Sequence, residues 1–194
     1  AYKNFIKAIQ ATENALFSAV LKVFRSFRTK NGRVDQEGNN GKANKKKVVS
    51  LAAKIAKAIK DSTYERKIRA YTKQFDKVES LAKEIISRDI KEPDFDVDVS
   101  EEKKLFIDEI VNGLMGKTGR AANIDIPLQK ILLRHATSSI KVSEAQEEIR
   151  TFLKGNGKGG KLTKRARFYA FEALQQFNGM IHQKSCEKYK LNVF

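Results

Sequence analysis

The sequence predicts an all-α fold: an elongated multi-helix bundle with a helix hairpin at about 46–90 and a long C-terminal helix. Three observations predict it. Only two prolines, Pro93 and Pro127, interrupt 194 residues, and Trp is absent. Lys, Glu, Ala, Leu and Ile, which helices accept well, dominate the composition. Apolar side chains, 41% of the chain, recur at helical steps over most of its length.

The first helix is expected over about 4–28. Phe5, Ile9, Leu16, Val20 and Phe24 form one stripe, with Ile6, Phe17 and Leu21 beside it. Lys22, Arg25, Arg28 and Lys30 gather at its C-terminal end, where cations suit the helix dipole. Residues 29–47 carry glycines at 32, 38 and 41 and several asparagines, so a flexible loop is expected there, ending in Lys45-Lys46-Lys47. A helix over about 46–61 places Val48, Leu51, Ala52, Ile55 and Ile59 on one face and Lys54, Lys57 and Lys60 on another. The next, about 62–90, repeats by sevens at Tyr64, Tyr71, Val78 and Ile85, with Ile68, Phe75 and Ala82 between. That a/d seam suits a helix hairpin.

Pro93 ends the pair, and Asp94 to Val99 alternate with the period of a short strand. Ser100, Glu101 and Glu102 open a helix to about Met115, with Phe106, Ile107, Ile110, Val111 and Leu114 inward. Residues 116–125 form a turn-rich break, and Pro127 near the first turn starts a helix to about Ala136. Ser143 and Gln146 have capping-box spacing ahead of a helix over 144–154 that Gly155 closes. The last helix spans about 162–189, with Phe171, Leu174, Phe177 and Ile181 at core spacing. The expected organisation is a basic helical region over 1–92, an acidic linker over 93–99 and a helical region over 100–194.

Charge is both large and segregated. The formal net charge is +16. Residues 1–60 hold fourteen Lys and Arg against three acids, and 156–194 hold eight against two, while 93–110 hold seven acids against Lys103 and Lys104. Basic ends of this kind fit a polyanion, because each cation placed at a phosphate releases condensed counterions. The expected DNA contacts are Lys45, Lys46, Lys47, Lys158, Lys161, Lys164, Arg165 and Arg167. Phe168, Tyr169, Phe171 and Phe177 interleave with the last of these and offer either stacking surfaces for bases or core packing, with core favoured.

Catalytic and metal constellations fail on spacing. Asp94, Asp96 and Asp98 stand at calcium-loop steps, but the sixth position is Val99 and the twelfth Leu105, where Gly and Glu are required. Gly155 to Lys161 fits G-x-x-x-x-G-K, yet Leu162 follows where a magnesium hydroxyl belongs, and an amphipathic helix precedes it instead of a buried strand. A loop bringing Lys158, Lys161, Lys164, Arg165 and Arg167 to a backbone phosphate fits better. His182 and Cys186 are four apart, but His135 is the only other histidine, too few ligands for a metal. No enzyme, cofactor or metal is expected. One cysteine excludes an internal disulfide, and no apolar run nears the roughly 20 residues of a membrane span. The N-terminal stretch, with charges at helical spacing, is unlike a signal peptide.

The C-terminal third carries a resemblance. ALQQFNG at 173–179 and KYKLNVF at 188–194 follow the helix and the Gly–Lys loop in an order similar to tailed-phage head morphogenesis proteins. These are the minor head proteins similar to the F protein of phage Mu, with an "FN" or "YNG" element and a "KYGL-x-x-F/Y" segment. Lys190 stands where the family has glycine. The resemblance implies no catalytic residues. It implies a helical virion protein inside the capsid near the portal, made in the host cytoplasm, aiding head assembly and DNA packaging or delivery. Its partners would be portal or capsid protein and packaged DNA, bound without sequence preference. It also implies a continuation beyond Phe194 into a small β-containing region, so that this chain is part of a longer polypeptide. The alternative is a free, sequence-tolerant nucleic-acid-binding protein.

Overall fold

A computed structural model describes residues 2–92, 94–115, 124–157 and 159–190. The fold is built around α1 (Tyr2–Arg25), whose expected stripe of Phe5, Ile9, Leu16, Val20 and Phe24 is buried throughout. The remaining helices are α2 (Gly38–Val49), α3 (Leu51–Asp61), α4 (Tyr64–Thr72), α5 (Gln74–Ile90), α6 (Ser100–Met115), α7 (Asp125–Thr137), α8 (Val142–Lys154) and α9 (Lys161–Tyr189). Helices α3, α4, α8 and α9 all pack on α1, α2 lies on α7, and α9 continues past α1 to pack on α5 and α6. One hydrophobic core therefore runs through both the 1–92 and 100–194 regions.

The 29–47 segment corrects the expectation of a flexible loop. Thr29–Lys30 (β1) and Arg33–Val34 (β2) form a small antiparallel hairpin. Its turn residues Asn31 and Gly32 both have positive φ, 50° and 71°, the conformation an Asn-Gly pair supplies at a tight hairpin. Val34 N–H donates to Ile140 O at 3.1 Å, fastening the hairpin to the start of α8. Helix α2 forms despite its glycines because tertiary contacts override propensity. Asn44 is fully buried, accepts from Arg28 N–H at 2.8 Å, and donates to the carbonyls of Arg28 and Asp35 at 3.0 and 2.9 Å. Gly41 fits because a Cβ there would sit 2.0 Å from the Gln36 carbonyl oxygen.

The expected hairpin at 46–90 resolves into three helices. Helices α3 and α4 meet around their connecting turn, where Thr63 takes a left-handed φ of 57°, and both lie along α1. A further break at Lys73 separates α4 from α5. Tyr64, Ile68, Tyr71, Phe75 and Ala82 of the seam are buried, but Val78 is half-buried and Ile85 is 46% exposed, with Ile86 buried in its place. The seven-residue repeat crosses the break at Lys73, so α5 sets its own buried row, Phe75, Ala82 and Ile86, at steps of seven and four. Tyr64 donates to Leu114 O at 2.9 Å and Tyr71 to Ala170 O at 3.1 Å. Burial, with Tyr2 nearby, pushes the Tyr71 hydroxyl up to about 12.

The acidic 94–99 segment is coil despite the strand-like period of its alternation. Its valines, Val97 and Val99, enter the core, and two of its acids, Asp96 and Asp98, are engaged locally. Asp96 pairs with Lys83 at 2.9 Å, and this hydrogen bond holds the Asp96 carboxyl below its usual range. Asp98 accepts from Ser100 N–H at 3.0 Å and from its hydroxyl at 2.6 Å. Lys103 joins Asp76 and Glu79 at 3.0 and 2.8 Å, Lys184 pairs with Glu102, and Lys188 Nζ reaches Asp96 O at 2.6 Å. The linker is thus strapped to α5, α6 and the far end of α9.

Two boundary expectations shift. Helix α8 begins at Val142 with no side-chain cap bond, so Ser143 and Gln146 make no capping box, although Gly155 does close it with a φ of 65°. In α9 the buried row is Ala166, Ala170, Ala173, Phe177 and Ile181, while Phe171 is exposed. The expectations at Pro93, at residues 116–123 and at the terminal LNVF fall outside the described residues.

Candidate nucleic-acid interface

The Gly–Lys connection between α8 and α9 is shaped by a carboxylate of the chain itself. Glu13, in the middle of α1 and 3% exposed, points at the start of α9. Its oxygens accept from Gly160 N–H at 3.0 Å, Thr163 N–H at 2.9 Å and the Thr163 hydroxyl at 2.7 Å. A helix N-terminus is a ready anion site, and here Glu13 fills it. The Gly160 and Thr163 donors are thus used within the chain, and any phosphate contact at this junction falls to the Lys and Arg side chains, as expected from the sequence, and not to these backbone N–H groups. The glycines are needed for close approach, since a Cβ on Gly160 would lie 1.8 Å from Leu153 O.

The eight expected DNA contacts divide into two groups. Lys45, Lys46 and Lys47 lie on α2, not in a loop, and successive helical residues point about 100° apart. Lys45 and Lys46 are exposed, while Lys47 donates to the Ser26 carbonyl at the end of α1. On α9, Lys164 and Arg167 are exposed. Lys161 is half-buried with its ammonium 5.4 Å from the centre of the Phe152 ring. Arg165 is half-buried and near enough to act electrostatically on Tyr64. There, burial and the Glu13 charge drive the Tyr64 hydroxyl upward, and Arg165 opposes them. Lys158 lies outside the described residues. The α2 group meets α1 at Ser26 and the α9 group meets it at Glu13. Those two anchor points are thirteen residues apart, a rise of about 20 Å along α1.

Between α1 and α3 the structure assembles a basic cleft of about 350 Å³, lined by Ala19, Lys22, Val23, Ser26, Lys54, Lys57, Ala58 and Asp61. Lys22, Lys54 and Lys57 have no ion-pair partner among the described residues. Asp61 is the one acid in its lining. The acids of the N-terminal region are held elsewhere: Glu13 in the interior, Asp35 by Glu37 N–H and Asn40, and Glu37 at 3.8 Å from Lys30. Sequence reasoning placed Lys54 and Lys57 on one helix face but did not join them to Lys22, because nothing local says that α3 runs antiparallel along the end of α1. On the other flank of α3 a cleft of about 520 Å³ is lined by Ile59, Lys60, Thr63, Tyr64, Arg66, Arg69 and Met115, among others.

The exposed face of α9 brings chemistry together at steps of three and four. Lys164, Arg167, Phe168 and Phe171 share it, with Phe168 57% and Phe171 52% exposed. Phe168 meets Tyr169 edge-on at 5.4 Å, and Phe171 meets Tyr2 at 6.2 Å. Tyr169 is half-buried and Phe177 is in the core. Two of the four aromatics are therefore surface groups.

The remaining candidates have packing roles or none. His135 is fully buried on α7 against Phe24, and its Nε2 lies 3.1 Å from Glu148 Oε2 but out of line for a hydrogen bond. Burial lowers its pKa, against the pull of Glu148. His182 is exposed and Cys186 half-buried. Among the described residues no three His, Cys, Asp or Glu side chains are grouped to hold a metal ion, and no helix is long and apolar enough to cross a membrane. Comparison with protein-family models, curated proteins and solved structures gives no match to this chain.

Proposed function

We propose that this chain is a non-enzymatic structural protein of a tailed-phage virion, a minor head component inside the capsid near the portal that aids head assembly and DNA packaging or delivery. The observation that carries its nucleic-acid side is the α1–α3 cleft, where Lys22, Lys54 and Lys57 converge without an ion-pair partner among the described residues. Phosphate contacts of this kind position a duplex and carry no sequence information. The resemblance of 173–179 and 188–194 to minor head proteins carries the virion setting, and portal or capsid protein is the proposed protein partner. Exposed Lys45 and Lys46 on α2, which packs on α3 and meets the end of α1 at Ser26, add to the basic surface at that end of the molecule.

Two measurements test it. Duplex affinity should fall with salt, and Lys22→Gln/Lys54→Gln/Lys57→Gln together should flatten the log–log slope by about 3. An unchanged slope would remove the cleft from the DNA interface. Quantitative mass spectrometry of purified particles should find a handful of copies per virion. Absence from particles, with duplex binding intact, would replace this reading with a free, sequence-tolerant nucleic-acid-binding protein.

A further inference from the structure

We propose that the exposed face of α9 is a binding surface for single-stranded nucleic acid, with Phe168 and Phe171 stacking on unpaired bases and Lys164 and Arg167 meeting the backbone. The inference rests on reading the chain as a nucleic-acid-facing protein, but it concerns a different face from the α1–α3 cleft. The core does not need these two rings: the buried row of α9 is supplied by Ala166, Ala170, Ala173 and Phe177. The four residues of the face stand at i, i+3, i+4 and i+7, so they align on one side of the helix. Phe168 and Phe171 are one turn apart, a rise of about 5 Å, which suits neighbouring bases of an extended strand.

Charge selects the ligand. Lys164 and Arg167 have no ion-pair partner among the described residues, and Glu172, one turn beyond Phe168, is the acid closest along the helix. Cations alternating with exposed aromatics match a phosphate backbone whose bases are open. A duplex offers the cations its phosphates but hides its base faces, so the rings would gain nothing from it. An apolar protein surface would have to strip water from both cations to reach two rings.

The chain contains no Trp, which provides a clean reporter. Phe168→Trp should lose fluorescence on adding oligo-dT, through stacking, and keep it on adding duplex. By anisotropy, Phe168→Ala/Phe171→Ala should weaken oligo-dT binding at least about tenfold and leave duplex affinity within about twofold of the parent. Far-ultraviolet circular dichroism checks that the helices persist. Unchanged oligo-dT affinity in the folded double variant, or no quenching of the Trp variant, overturns the inference. Loss of particle incorporation with oligo-dT affinity intact also overturns it, by assigning the face to a protein partner. Failure of the cleft reading appears separately, as duplex binding indifferent to the Lys22, Lys54 and Lys57 changes.

Discussion

Glu13 satisfies three donors from a part of the chain about 150 residues away. Its carboxylate is buried, so truncating it strands the first-turn N–H groups of α9 and the Thr163 hydroxyl in the interior. Breaking a buried, charge-assisted arrangement from one side costs about 3–5 kcal/mol. Glu13→Ala should lower the unfolding free energy in urea by that order, and a loss under about 1 kcal/mol would mean that water replaces the carboxylate freely. Nothing in the sequence marks Glu13 for this role. It stands in α1 among neighbours that read as an ordinary amphipathic helix, and only the antiparallel course of α9 brings Gly160 to it.

At the scale of elements, the junction between α8 and α9 separates two uses of glycine. Gly160 has an ordinary φ of −83° but no room. Gly157 has open space around its Cα but a φ of 81°. Gly160→Ala should cost about 3 kcal/mol or more, because backbone must move, whereas Gly157→Ala should cost about 1 kcal/mol of backbone strain. Equal losses in thermal denaturation would show that the junction relaxes as a whole. The helices themselves were largely legible, because α1, α6 and α9 each carry a long apolar period. What the sequence concealed were the breaks and the special turns. No proline or glycine announces the interruption at Lys73. The Asn31-Gly32 hairpin signal was present in 29–47, but it was outweighed by the glycine and asparagine content around it. Helix α2 was hidden because its stability comes from Asn44 and its tertiary partners, which propensity does not record.

Across the whole molecule, the two signs of charge are used differently. Asp96 and Glu102 are tied internally to Lys83 and Lys184, and Asp76 and Glu79 to Lys103, while Lys22, Lys54, Lys57, Lys164 and Arg167 stand without ion-pair partners among the described residues. The sequence showed the segregation by windows but could not show which cations would converge, since Lys22 and Lys54 are joined only by packing. A net charge of +16 opposes the compact state through self-repulsion. Raising NaCl from about 0.02 to about 0.3 M, which shortens the Debye length several-fold, should therefore raise the melting temperature. A falling melting temperature would mean that the Lys–carboxylate straps outweigh the repulsion.

The central position of α1 has a consequence for how the chain is made. Its neighbours α8 and α9 emerge from the ribosome well after it, with Gly160 following Glu13 by 147 residues. At roughly 5–20 residues per second, that leaves part of the apolar stripe of α1 waiting several seconds to half a minute for these two partners. Helices α3 and α4 can cover part of that stripe early, and the remainder stays open until α8 and α9 arrive.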